Sequence, residues 1–144
     1  MDTLFSLANL MVLPAWVTLV FAPFKWPGVS RWVQFTVPVL LGMAYLVMIA
    51  MFWSERQGGF DSLSSVRALF GHDGLLLAGW LHYLAFDLFI GAWIVERAMR
   101  VGLHHVWTIP CLPLTFLFGP IGLVLYLAIE SIWRLCNRSF EVTA

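Results

Sequence analysis

The sequence predicts an all-α, polytopic membrane protein, with four transmembrane helices in a single domain over 1–144 and a short interfacial helix between the second and third. Three observations lead there. The 144 residues are 61% hydrophobic and only 11% charged, where a soluble domain carries about 25% charged residues. Mean hydropathy is +0.87, more apolar surface than a soluble fold of this length can bury. The apolar residues also gather into stretches near the roughly 20 residues that cross a bilayer as a helix.

The first stretch runs from about Leu4 to Ala22. Met1-Asp2-Thr3-Leu4 has no basic n-region and no small-residue cleavage site, so this stretch reads as a membrane helix rather than a removable signal. Pro23 to Arg31, with Pro27-Gly28 at its centre, forms the first turn. The second stretch runs from about Trp32 to Trp53, and the connection from Ser54 to Asp73 follows it. Within that connection Phe60, Leu63, Val66, Leu69 and Phe70 recur at helical spacing opposite Asp61, Ser64 and Ser65. This pattern suits a short amphipathic helix lying at the interface, capped by Asp61 or Ser62. The third stretch runs from about Gly74 to Val95, and the short basic loop after it carries Arg97, Arg100, His104 and His105. The fourth runs from about Trp107 to Trp133. Pro110 and Pro113 make its entry irregular, and Pro120 should kink it near Phe116 to Gly119.

Eight Lys/Arg balance eight Asp/Glu, with no basic patch and no acidic tail, so nucleic acid is not an expected partner. Cys111 and Cys136 show no CxxC or Cys/His spacing for a metal and read as small buried hydrophobes. With four spans, Arg56, Arg67, Arg134 and Arg138 fall on one side, and Lys25, Arg31, Arg97 and Arg100 on the other. The positive-inside count therefore ties. The first helix tips it toward termini outside the cytoplasm, because Lys25 and Arg31 follow that helix and no cation precedes it.

Polar residues inside the apolar stretches are the candidate site, since an ionisable group at bilayer depth is costly and is functional by default. On the third helix, stepping about 100° per residue from His82 puts Tyr83 at about 100°, Asp87 at about 140° and Gly91 at about 180°. Tyr83 and Asp87 are an i,i+4 pair. Gly79 and Gly91 leave room for a neighbouring helix or a flat ligand. On the fourth helix Gly119, Gly122, Tyr126 and Glu130 fall on one arc. On the second, Pro38, Gly42 and Tyr45 share a face that suits a dimer or intrachain packing. Bis-histidine haem is disfavoured because His82 alone of the four histidines lies inside a span; no cofactor or metal is expected. A transporter is disfavoured because no inverted repeat is visible.

Two runs carry a resemblance. Gly79-Trp80-x-His82-Tyr83-Leu84-Ala85-Phe86-Asp87-Leu88-Phe89-x-Gly91-x-Trp93 is one, and Ile109-Pro110-Cys111-Leu112-x-Leu114-Thr115-Phe116-x-Phe118-Gly119-Pro120-x-Gly122 followed by Tyr126 is the other. Together they resemble the abscisic-acid-deficient-4-like family of plant plastids and bacteria, and the likeness covers nearly the whole chain. The resemblance implies a link to carotenoids, because the plant member is required to make neoxanthin from violaxanthin. That change opens an epoxide and forms an allene without net redox. The chain lacks a plastid-import extension, so it resembles a bacterial member, placed as a multi-pass protein in the inner (cytoplasmic) membrane.

Chemistry of that type needs an acid for the epoxide oxygen and a base for a proton on the adjacent polyene carbon. Asp87 is the candidate acid, His82 the candidate base, Tyr83 the residue that orients Asp87, and Glu130 the substitute for either. Gly79, Trp80, Phe86, Gly91, Gly119, Gly122 and Tyr126 are the candidate ligand contacts. Three readings follow: a cofactor-independent, isomerase-like enzyme acting on a carotenoid or other long isoprenoid; a non-catalytic pigment- or lipid-binding protein; and a structural subunit of a larger membrane complex or homo-oligomer.

Overall fold

The structure, a computed structural model, describes residues 1–26 and 28–141, with side chains as far as 137. Six α-helices follow one another: α1 (Asp2–Phe21), α2 (Val29–Phe52), α3 (Leu63–Leu69), α4 (Asp73–Arg100), α5 (Cys111–Phe118) and α6 (Pro120–Glu141). Among the described residues, three segments are long and apolar enough to cross a membrane: Asp2–Phe24, Val29–Glu55 and Asp73–Arg100.

The central helix is α4, and every long helix packs on it. Leu81, Leu84, Leu88, Ala92 and Val95 of α4 are buried against Val12, Leu19 and Leu41 of α1 and α2. The other faces of α1 and α2 stay apolar and exposed, with Leu10, Val17, Phe35, Leu40 and Leu46 all more than half accessible. An apolar outer surface around an apolar core is what lipid as solvent requires. Neighbours along α4 set the directions. Asn9 of α1 meets Trp80, and the ring of Trp16 covers Gly91, so α1 runs parallel to α4. On α2, Arg31 meets Glu96, Tyr45 meets His82 and Phe52 covers Gly74, so α2 runs antiparallel.

The third helix is longer than the apolar stretch that predicts it. Hydropathy fades at Val95, yet the helix continues to Arg100 because its charges are paired. Glu96 accepts from Arg31 and Arg100, and Arg97 donates to Glu130 at 2.7 Å. Gly102 then closes the helix at φ +71°, with the N–H groups of Val101, Gly102 and Leu103 returning to the carbonyls of Arg97, Met99 and Ala98.

The single fourth helix expected over about 107–133 does not form. Gly119 takes φ +51° and ψ −98°, which a glycine adopts freely, and Pro120 cannot donate back into α5. The chain reverses rather than kinks. Gly122 then lies directly on Thr115 and on the carbonyl of Cys111, so α5 and α6 pack as a tight hairpin. The tip at Gly119 reaches Asp87, midway along α4. Both legs return to the same end of α4: His105, before α5, bonds the Val20 carbonyl at the end of α1, while Glu130 and Trp133 of α6 bond Arg97 and Val101.

The amphipathic segment in the long connection is helical over Leu63–Leu69. Ser62 caps it, accepting from the Ser65 N–H at 3.1 Å. Its Leu69 is buried, and Phe70 lies over Gly79 of α4.

Two further expectations are corrected. Cys111 is buried but Cys136 is exposed. His105, expected as part of a short basic loop, is buried instead: it is 8% exposed, with Nε2 3.0 Å from the Val20 carbonyl and Nδ1 2.9 Å from the Thr108 hydroxyl. Burial holds its imidazole below the usual histidine range.

Candidate functional site

His82 and Asp87 leave α4 on different sides, and each meets a different part of the molecule. His82 is exposed and faces α2. Its ring stacks on Phe86 at 4.5 Å and lies 5.9 Å from Tyr45, centroid to centroid. His82 and Tyr45, together with Trp53, Phe60, Phe70 and Gly79, line a groove of about 290 Å³ between α2, α4 and the α3 segment. The side chains that make it are fixed by separate elements. Tyr45 comes from the α2 face that also carries Met48 and Ile49 into the core. Phe60 stacks on Trp53 at 6.3 Å, and Phe70 approaches α4 closely because residue 79 has no Cβ. The groove is open on its side and walled by aromatic faces. His82, Tyr45 and Trp53 are the lining residues whose side chains carry polar groups, and no carboxylate lines it.

Asp87 faces the hairpin tip instead. A Cβ built at Gly119 would stand 2.9 Å from its Oδ1, so glycine is required there both by the backbone angle and by the carboxyl. The Oδ2 atom is buried with no hydrogen-bond partner among the described residues. Tyr83, one turn earlier, donates its hydroxyl to the Phe116 carbonyl at 3.0 Å. That carbonyl lies in the last turn of α5, where helix carbonyls lack partners of their own. Asp87 also lies against Gly119, just before the start of α6, where the helix dipole favours negative charge. Tyr83 therefore holds the end of α5 at mid-depth on α4, and Asp87 packs against the Gly119 tip beside it.

Glu130, the substitute acid or base, joins neither place. It is 4% exposed and forms a bidentate pair with Arg97, Nε to Oε2 at 2.7 Å and Nη2 to Oε1 at 2.9 Å, with Arg134 added at 2.8 Å. Tyr126, one turn before it, is fully buried with its ring edge-on to Trp93. The glycines expected to admit a ligand are occupied by the chain itself. Gly79 takes Phe70, Gly91 takes Trp16 and Gly122 takes α5. Trp80 donates to Asn9 at 3.2 Å and stacks on Tyr83, tying α1 to α4. Of the expected contacts, Gly79 borders the groove through Phe70, and Phe86 flanks it through His82.

Tyr45, Trp53, Phe60 and Phe70 gain a part in the groove that sequence reading does not give them. Tyr45 stands out in the sequence only as part of a glycine-containing face, and Phe60 and Phe70 only as the apolar side of a short helix. A second groove, of about 330 Å³ between α1, α2 and α4, is lined by Leu7, Met11, Leu41, Met48, Leu77 and other apolar side chains and offers no titratable group. No cluster of three or more His, Cys, Asp or Glu among the described residues is placed to hold a metal ion.

Compared with known proteins, residues 3–126 match the family model described as ABA4-like, ABA DEFICIENT 4-like. No curated protein and no solved structure matches the chain.

Proposed function

Because the chain belongs to the ABA4-like family, we propose that it binds one end of a carotenoid or related long isoprenoid in the His82–Tyr45 groove and acts on it there. The observation that carries this reading is the groove itself, an aromatic-walled cleft with an imidazole and a phenol inside and an opening on its side. Pockets of roughly 300–1,000 Å³ enclose drug-sized ligands. A cleft of about 290 Å³ suits an end ring, with the polyene lying along the apolar flank of α2. For epoxide opening, the Tyr45 hydroxyl protonates the oxygen as the C–O bond breaks. The His82 imidazole takes the proton from the neighbouring carbon, whose C–H electrons form the new double bond. Proton gain and loss balance, with no oxidant. Asp87 and Tyr83 then act as positioning residues that hold the hairpin.

The absence of a carboxylate from the groove lining favours one second reading, a binder that presents the pigment without converting it. One experiment separates them. Expressed in a carotenoid-producing bacterium, the wild type changes the pigment profile on chromatography, His82→Ala and Tyr45→Phe do not, and Asp87→Asn retains the conversion. Purified protein that holds a polyene by its absorption spectrum but turns nothing over supports the binder. Conversion that survives His82→Ala and is lost only in Asp87→Asn overturns the groove as the site.

The hairpin also supports an orientation. With both legs at the Arg100 end of α4, Lys25, Arg31, Arg97, Arg100 and Arg134 share one face, and Arg56 and Arg67 the other. Arg138 lies outside the described side chains; the other seven cations divide five against two, which supports a multi-pass arrangement with Met1 outside and α6 ending inside, in what we read as a bacterial cytoplasmic membrane.

A further inference from the structure

The Arg100 end of α4 carries more positive charge than its ion pairs neutralise. Four guanidinium groups, from Arg31, Arg97, Arg100 and Arg134, surround two carboxylates, Glu96 and Glu130. The carboxylates lie underneath, with side chains 11% and 5% exposed. The guanidiniums of Arg100 and Arg134 lie above them, 68% and 54% exposed. These two arginines border a cleft of about 630 Å³, floored by Trp133 and flanked by Ser131 and Asn137. Several carbonyls at this helix end are taken: those of Arg97, Ala98 and Met99 by the closing turn at Gly102, and that of Val101 by the Trp133 indole N–H at 3.3 Å. Ile132 and Leu135, 62% and 66% exposed, continue the surface as an apolar strip along α6.

We propose that this cleft binds the headgroup of an anionic membrane lipid. The phosphodiester lies between Arg100 and Arg134, with the Asn137 amide as a hydrogen-bond donor and the acyl chains on Ile132 and Leu135. Charge complementarity selects an anion, the forked guanidinium suits a phosphate, and the adjoining apolar strip selects a lipid over a soluble anion. Trp133 supplies the amphipathic ring common at headgroup depth. The pairing pattern makes the test clean: without Arg100, Glu96 keeps Arg31, and without Arg134, Glu130 keeps Arg97.

The full chain in mild detergent is titrated with phosphatidylglycerol, with phosphatidylcholine and with inorganic phosphate, and bound lipid is read by native mass spectrometry. Phosphatidylglycerol should bind and the other two should not compete with it. Each surface arginine contributes about fivefold to binding an anionic lipid, so Arg100→Gln with Arg134→Gln should weaken it about 30-fold. The matching lysine pair keeps the charge but loses the fork, and should bind more weakly than the wild type and more tightly than the glutamine pair. Ser131→Glu, which removes none of the four arginines or two glutamates, should weaken it as well and keeps the test sound if the double variant does not fold. Equal binding of phosphatidylcholine, displacement by inorganic phosphate, or undiminished binding in both the double variant and Ser131→Glu would overturn the proposal.

Discussion

Gly122→Ala tests the contact on which the α5–α6 hairpin depends. By local propensity the change should help, since alanine is favoured over glycine inside a helix by about 1 kcal/mol. The tertiary structure reverses the sign. An alanine Cβ would run into the Thr115 amide nitrogen and hydroxyl, and stand 2.5 Å from the Cys111 carbonyl oxygen. Two of those are backbone atoms of α5 and cannot rotate away, so α5 must move as a unit. That would pull Leu112 and Thr115, both fully buried, out of their places. Overpacking in a close-packed interior costs about 1–3 kcal/mol, and contact with rigid backbone puts this case at the upper end. Subtracting the propensity gain leaves a net loss of about 2 kcal/mol. Gly42→Ala is the matched control, because its Cβ meets nothing within 4 Å, and it should gain about 0.5–1 kcal/mol. At roughly 2–4 °C per kcal/mol for a chain of this size, thermal unfolding in detergent should separate the two variants clearly. A Gly122→Ala protein as stable as Gly42→Ala would mean that α6 does not fold back on α5.

Four further outcomes follow. Glu130→Gln leaves Arg97 and Arg134 facing each other without their shared carboxylate and should lower stability by about 2 kcal/mol, less than a fully buried pair because both arginines are partly solvated; denaturant titration measures it. His105 is held neutral by burial, so its folded pKa lies below its unfolded value near about 6.5. Its contribution to stability is therefore complete above that pH and declines as pH falls through the depressed folded value; a melting-temperature series against pH should show this slope, and His105→Gln should flatten it. Gly119→Ala meets both a positive φ and the Asp87 carboxyl, and its melting temperature should drop by more than that of Gly122→Ala. A membrane-impermeant thiol reagent should label exposed Cys136, and not buried Cys111, from the side opposite an amino-terminal tag; labelling from the same side would restore four spans.

Much of this protein is legible one residue or one helical turn at a time. Lipid as the solvent follows from composition. The three long helices follow from apolar runs of bilayer length. The α3 cap follows from Ser62 standing before a helical pattern, and the polar residues of α4 follow from their cost in lipid. These are local properties, and local energetics decide them. The α4 boundary is missed because hydropathy counts Glu96, Arg97 and Arg100 as an end, whereas their partners on α2 and α6 make them a continuation. The same limit applies to Glu130, whose isolated position says nothing of Arg97.

What the tertiary structure alone decides is the direction of the chain after Gly119 and the company each polar side chain keeps. A Gly-Pro step permits both a kink and a reversal, and the choice rests on whether Gly122 can lie flush against Cys111 and Thr115, a contact that exists only once both helices are packed. That reversal carries the rest with it: it brings the hairpin tip to Asp87, gathers five cations on one face, and seals Tyr83 against Phe116. A helical wheel places His82 and Asp87 on one half-face of α4, yet the difference of about 140° between them is enough for two different neighbours to intervene. Angles on a single helix come from the sequence; which helix faces each angle is settled by long-range packing, and that separates the His82 groove from the Asp87 contact.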